Sequence, residues 1–259
     1  SLRTLKFILL RWTQSFTFKR SDGVIFLTEY ARKAVLKVTG ALSGESIVIA
    51  HGLNPRFSYQ PKPQQPIEQY DQQKPYRLLY ISTIDVYKNQ LELIEAVHLL
   101  RQKGYPLSLT LIGPNEPRAL ADLLSKQKSL DPKSEWLEYL GALPYQSIHL
   151  EYQKADLGVF ASCCETFGMT VLEKMSAGLP IACSQQSSMH EILVDAGVYF
   201  DPSNPSSIAE SIEQYLLSPS LRESNQQKAH ELARQYTWER CAYQTVAFLY
   251  KIAKSKVAT

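Results

Sequence analysis

The sequence predicts an α/β fold, a doubly wound parallel sheet with a C-terminal helical segment, and three observations carry that reading. From residue 76 to 200, short β-rich runs alternate with helical patterns. Several of those runs are apolar at consecutive positions, as strands covered on both faces are. Beyond residue 205 the pattern turns helical and stays so.

The expected strands are RLLYIS (77–82), LSLTLIG (107–113), WLEYLG (136–141), LGVFAS (157–162), PIACS (180–184) and GVYF (197–200). Helical patterns lie between them at 89–103, 116–129, 145–154, 168–177 and 188–195. In the first of these, Leu91, Ile94, Val97 and Leu100 recur at three-residue steps. A leading piece holds a strand, VIFLT (24–28), a helix (29–38) and a strand, SIVIAHG (46–52), too little for a stable sheet of its own. Residues 57–75 contain four prolines and six glutamines and read as a linker. The expected division is therefore 1–56, the tail of a truncated first domain, then the linker 57–75, then a main domain 76–259. The first residue is Ser1, consistent with a piece of a longer chain.

Composition narrows the function classes. A chain of 259 residues with a 44% apolar share is long enough for a real core. No run approaches the roughly 18 uncharged apolar residues of a spanning helix. There is no GxGxxG or GxxxxGK[ST] phosphate loop. The four cysteines, Cys163, Cys164, Cys183 and Cys241, form neither a disulfide framework nor a zinc spacing, so a reducing, cytoplasmic compartment is expected and no metal site. Residues 1–40 hold eight basic and two acidic groups, whereas the rest is slightly acidic. Nucleic-acid binding wants a basic stripe through the main domain, and none is present. Residues 2–20 mix Leu, Ile, Phe and Trp with Arg and Lys. They suit either peripheral contact with an anionic membrane face or packing on a core that lies elsewhere.

In open α/β sheets, ligands sit beyond the carboxyl ends of the strands. The candidate segments are thus Ser82–Lys88, Gly113–Glu116, Gly141–Pro144, Ser162–Thr170 and Ser184–Glu191. The stretch ASCCETFGMTVLEKMSAGLPIAC (161–183) concentrates the chemistry. A strand ends at Ser162, and a loop carries Glu165, Phe167 and Gly168. A helix then begins near Met169 and Thr170, with Glu173 inside it. Its N-terminus offers free amides and a positive dipole end, an anion site that Gly168 lets a ligand approach closely. Glu165 and Glu173 can accept hydroxyls at either end of an anionic ligand. On spacing alone, Glu165 also reads as a loop charge or a cap, and Glu173 as an ordinary solvated helix residue.

The pattern E-x-F-G-x-x-x-x-E over 165–173, followed by Ala-Gly-x-Pro, resembles the E-x7-E motif of the family 4 glycosyltransferases, of the group 1 glycosyl transferases. SIVIAHGLNPRF (46–57), YISTIDVYKNQLELIEA (80–96), LTLIGPN (109–115), YLGALPYQSIHLEYQKADLGVFAS (139–162) and SSMHEIL (187–193) are similar to further family segments, in order and spacing. The resemblance implies the GT-B arrangement of two Rossmann-like domains. Here it implies the whole nucleotide-sugar donor domain and the tail of the acceptor domain, with the remaining N-terminal domain absent.

By that resemblance, Lys88 neutralises the donor diphosphate and, with Glu165, carries the chemistry. Amides at Gly168, Met169 and Thr170 meet the diphosphate or the sugar beside Phe167, and Glu173 accepts the ribose hydroxyls. Gly113, Gly141, Ala142 and Leu143 line the base. Thr83 stands where the family often has a cation, five residues before the lysine. Glu191 orders the loop after 184, and His51 and His190 are structural residues near the cleft. The implied activity is retaining, metal-independent transfer of a sugar from a UDP-, GDP- or ADP-linked donor to an acceptor that the sequence does not identify. No cofactor is required. The alternatives are a non-enzymatic nucleotide-sugar-binding module and a GT-B epimerase. A phosphorylase would need a pyridoxal-phosphate lysine, for which no matching context is seen.

Overall fold

The computed structural model describes residues 2–257. In chain order its elements are α1 (Leu2–Arg20), β1 (Gly23–Phe26), α2 (Glu29–Thr39), β2 (Glu45–Val48), β3 (Tyr76–Ile81), α3 (Gln90–Gln102), β4 (Leu107–Ile112) and α4 (Pro117–Leu130). There follow β5 (Leu137–Tyr139), α5 (Tyr145–Lys154), β6 (Leu157–Phe160), α6 (Met169–Ser176), β7 (Ile181–Ser184), α7 (Met189–Ile192), β8 (Val198–Phe200), α8 (Pro205–Leu217), α9 (Pro219–Ala233) and α10 (Trp238–Val257).

The chain divides into two compact units, one running up to Gly52 and resuming at Tyr236, the other Leu53–Gln235. In the smaller unit β1 and β2 pair in parallel, Gly23 opposite Glu45 and Phe26 opposite Val48. Thr28 caps α2 by accepting from the Ala31 amide at 3.1 Å. Helix α10 belongs here, not to the expected domain 76–259. A Cβ at Gly23 would lie 3.0 Å from the Phe248 ring, and one at Gly52 only 2.1 Å from the Trp238 amide nitrogen. Both glycines are there because α10 presses on the backbone. On α1, Phe7, Ile8, Leu9, Trp12 and Phe16 are exposed. Among the described residues no helix is long and apolar enough to cross a membrane.

The larger unit holds a six-stranded parallel sheet in the order β5-β4-β3-β6-β7-β8. The core strands explain why continuous apolar runs were legible. β6 and β7 are buried at every position, and β3 at every position except Arg77. On α3 the fully covered stripe is Leu93, Ile94, Val97 and Leu100, with Leu91 only half-buried. A strict three-residue step drifts off the 3.6-residue turn, so its first member slides toward the rim. Proline at the first position and a polar N-cap (Glu116, Asn204 or Ser218) start α4, α8 and α9.

Residues 57–75, expected as a linker, are fastened to this unit. Phe57 and Ile67 are buried, and the Tyr59 amide donates to the Ser176 carbonyl at 3.1 Å. Gln226 Nε2 donates to the Lys62 carbonyl at 2.7 Å. Arg222, with no exposed surface, donates from Nε to Gln64 Oε1 at 2.9 Å and from Nη2 to the Gln65 carbonyl. The polar composition is real, but the glutamines and carbonyls are used as hydrogen-bonding partners. A cavity of about 770 Å³ lies over β4 and β5, lined by Arg77, Thr110, Glu138 and Lys154 among others, and includes none of the candidate site residues.

The strand ends are drawn together beyond the ladder. The Ser82 amide donates to the Ile112 carbonyl at 2.9 Å and the Ile84 amide to the Pro114 carbonyl at 2.8 Å. Gly113 sits at φ 147°, and a Cβ there would stand 2.0 Å from the Ser82 carbonyl oxygen. Gly113→Ala is expected to destabilise the unit by more than about 1 kcal/mol, since both the dihedral and the space oppose a side chain. A denaturant midpoint equal to wild type would contradict this.

Candidate functional site

The site is built at the carboxyl ends of β3, β4, β5 and β6, and most of it follows from where single residues stop or bend the chain. After β3, Asp85 caps a short 3-10 turn over Val86–Lys88 by accepting from the Val86 amide at 2.7 Å. Asn89 ends that turn in the left-handed region, φ 52°, and its amide group donates to the Ala161 carbonyl at 2.9 Å. Tyr80, buried in β3, donates its hydroxyl to the Lys88 carbonyl at 2.9 Å. The turn is thus pinned to β3 from within and to β6 from beside. Lys88 is only 8% exposed, and its Nζ is hydrogen-bonded to Glu165 Oε1 and lies 4.8 Å from the Tyr87 ring centre.

Glu165 is held from the other side. The Ser187 hydroxyl accepts from the Glu165 amide at 3.0 Å and donates to the Cys163 carbonyl at 2.9 Å. The Cys163 amide donates to the Tyr87 carbonyl at 3.0 Å, and Ser188 Oγ donates to the Phe167 carbonyl at 3.2 Å. The loops at 82–88, 162–168 and 184–188 therefore form one hydrogen-bonded group. Sequence reasoning found all three loops but not Ser187 and Ser188, which join them. Ser187 at φ 63° is a non-glycine residue in the left-handed region.

Gly168 precedes α6 at φ 93° and has no side chain to cap its first turn. The Val171 amide donates to the Gly168 carbonyl at 2.9 Å, and the Met169 and Thr170 amides before it are left by helix geometry without an intrahelical partner. A Cβ at Gly168 would fall 2.7 Å from Met189 Cε, so the α7 side packs directly on this backbone. Phe167 is buried, and Met169 and Thr170 are half-buried.

Glu173, one turn on, is 6% exposed. It accepts from the Tyr152 hydroxyl at 2.7 Å. Burial holds its carboxyl above the usual range, while the Tyr152 hydrogen bond and the neighbouring Lys174 charge pull the other way. Sequence reasoning did not foresee Tyr152; its place is fixed by an edge-on contact with Phe57 at 5.8 Å.

The third wall comes from β4 and β5. The Gly113 amide donates to the Gly141 carbonyl at 2.9 Å, and Tyr139 donates its hydroxyl to the Gly113 carbonyl at 2.8 Å. Gly141 turns at φ 69°, followed by exposed Ala142 and half-buried Leu143. Thr83 is half-buried, and its carbonyl accepts from Gln90 Nε2 at 2.8 Å. His190 is exposed and stacks on Tyr199 at 3.9 Å, whereas His51 lies in the smaller unit beside Trp238, with ring centres 5.6 Å apart. Glu191 is exposed on α7.

A six-stranded parallel sheet whose strands alternate with helices is a Rossmann-like fold. The backbone agrees. The chain superposes on sucrose-phosphate synthase of Thermosynechococcus elongatus with a TM-score of 0.77 at 18% identity, covering 95% of this chain and 62% of that one. It superposes equally, TM-score 0.77 at 18% identity, on HepE of Anabaena in complex with UDP and glucose, covering 90% and 64%. The chain belongs to the family described as glycosyl transferases group 1, whose family model matches residues 62–232. Over 171 residues it is 34% identical to O-antigen chain mannosyltransferase B of Escherichia coli, covering 65% of this chain and 44% of that protein. It is 23% identical over 249 residues to glycogen synthase of Mycobacterium tuberculosis, covering 93% and 56%. The chain thus spans less than two thirds of the length of these relatives.

Proposed function

We propose that this chain is the donor-binding part of a retaining glycosyltransferase that moves a sugar from a nucleoside-diphosphate sugar to an acceptor hydroxyl. The observation that carries the reading is the Lys88–Glu165 pair set across the uncapped N-terminus of α6. The diphosphate binds between the Lys88 ammonium and the α6 amides. Glu165 holds sugar hydroxyls, and Glu173, held by Tyr152, accepts from the ribose. Gly113 and Gly141–Leu143 line the base. The bond from the anomeric carbon to the diphosphate oxygen breaks and a bond to the acceptor oxygen forms on the same face. The acceptor proton passes to the departing phosphate. The transition state is oxocarbenium-like, and the fixed positive groups are aimed at the charge that develops on the leaving group. They do there what a metal would otherwise do, so turnover is metal-independent.

The sugar named for the 34%-identical relative is mannose, and HepE was solved with UDP. Mannosyl and glucosyl nucleotides therefore head the donor screen. In this reading the smaller unit is the tail of the acceptor domain, and the exposed apolar residues of α1 pack on the rest of that domain or rest on an anionic membrane face inside the cell. The alternative, a binding module without transfer, is favoured by uncharged Thr83 in place of a cation.

The test uses this chain and a longer form carrying the missing acceptor half. This chain is expected to bind one nucleoside diphosphate per molecule with excess chelator present, and to release sugar only by slow hydrolysis. Transfer should appear with the longer form, because the acceptor must be positioned against the anomeric carbon. Loss of binding in chelator, restored by magnesium or manganese, would reject the metal-independent reading. Robust transfer by this chain would reject the truncation.

A further inference from the structure

Lys174 is not a residue that the proposed chemistry uses, and it has no exposed surface at all. It lies on α6 next to Glu173, on the side away from solvent. Its side chain passes over β6 where Gly158 leaves room: a Cβ at Gly158 would fall 2.7 Å from Lys174 Cδ. Glycine in a strand interior weakens the strand, so a passage cut for a lysine stem needs a reason. The ammonium ends 5.6 Å from the Tyr152 ring centre and 5.7 Å from that of Phe160, and donates to the Thr170 carbonyl at 3.1 Å. Thr170 lies in the first turn of α6, the turn whose amides form the anion site. The cation is therefore sealed beneath that turn and tied to it.

The charged groups that act on it come from every neighbouring element. Glu173 on its own helix and Glu165 on the site loop favour the ammonium, and Lys88 opposes it. Cys183 from β7 adds no standing charge, because burial pushes its thiol upward. Burial and the nearby Lys88 bring the Lys174 amine down to about 8, within reach of ordinary solution conditions.

We propose that Lys174 is a positioning residue of the donor site, a second cation that takes up a proton as the diphosphate binds and steadies the first turn of α6 from beneath. With the site empty, the buried Lys174 is shared between its amine and ammonium forms, in the field of Glu173, Glu165 and Lys88. A diphosphate adds negative charge to that cluster, and the buried amine is the group able to answer it with a proton. Donor binding and protonation of Lys174 then strengthen one another by linkage. This rests on the donor-site reading above.

The experiment is calorimetric titration of this chain with UDP, GDP and ADP, each in two buffers of different ionisation enthalpy. At about pH 8.5, where the nucleotide's own phosphates are fully ionised, the heat should depend on the buffer, reporting uptake of a sizeable fraction of a proton. Affinity should fall roughly three- to tenfold per pH unit above about 8. Lys174→Met should abolish the uptake and flatten the pH dependence. Wild-type binding whose heat is independent of buffer at that pH overturns the proposal and leaves the donor site standing. The same uptake in Lys174→Met assigns the proton elsewhere and overturns it too. Binding of none of the three nucleotides overturns the donor-site reading and this inference with it. If Lys174→Met does not fold, the wild-type buffer comparison still decides.

Discussion

Lys88→Ala should weaken binding of a nucleoside diphosphate by roughly ten- to a hundredfold, about 1.5–3 kcal/mol for a charge-assisted contact. Two features make the effect large. The ammonium is nearly buried, so solvent screens it little, and its turn is held by Tyr80, Asp85 and Asn89, so no other group swings in. The substitution also leaves the Glu165 carboxylate without its partner, facing an anionic ligand. Glu165→Gln provides the contrast. It removes a negative charge while keeping the shape, so the nucleoside diphosphate should bind at least as well and the nucleotide sugar less well. Calorimetry on both ligands separates these outcomes. Unchanged nucleotide affinity in Lys88→Ala would remove the residue from the site.

Arg222→Ala should cost the larger unit roughly 3–5 kcal/mol, enough to threaten folding. Arg222 is fully buried, with no carboxylate partner among the described residues. Its guanidinium instead donates to the Tyr215, Leu216 and Gln65 carbonyls and to Gln64 Oε1, and lies over the Tyr76 ring at 5.5 Å. Removing it takes the donor from the Leu216 and Gln65 carbonyls and from Gln64 Oε1, and leaves Gln226 as the tie between α9 and the segment at 62–65. Lysine is a poor replacement, since one ammonium does not reproduce a planar fork reaching two sides. Chemical denaturation would measure the loss. Proteolysis should then cut first within residues 57–75, and if that segment stays protected in the variant, Arg222 is not what fastens it.

Much of the larger unit was legible because its strands are apolar on both faces and its helices start at recognisable caps. The strands and helices fall within about two residues of the expected bounds, apart from α7, which stops at Ile192. The glycine, lysine and glutamate positions proposed for the site were picked out by the strand ends and by the resemblance to the family's E-x7-E pattern. The groups that hold them were not. Ser187 and Ser188 act through a hydroxyl and a backbone turn, and Tyr152 reaches Glu173 from a different helix; neither leaves a local pattern. Lys174 reads as an exposed helix residue until the glycine across from it in β6 is seen. Residues 57–75 were read by composition, which reports solubility and not attachment. Phe57 and Ile67 were the available signal, two apolar residues in a polar stretch. Likewise, nothing in the sequence of α10 says that its partner is β1.

That last pairing sets an order of events during synthesis. The larger unit is continuous from Leu53 to Gln235 and can close its sheet as soon as β8 and the two helices after it have left the ribosome. The smaller unit has its two strands made before the larger unit and its covering helix made after it. While the larger unit is being translated, β1 and β2 wait with Gly23 and Gly52 uncovered, the two places that α10 will press upon. This chain cut short just before Trp238 should therefore show a protease-resistant body from residue 53 onward and a labile segment before it. Restoring α10 should make that segment resistant.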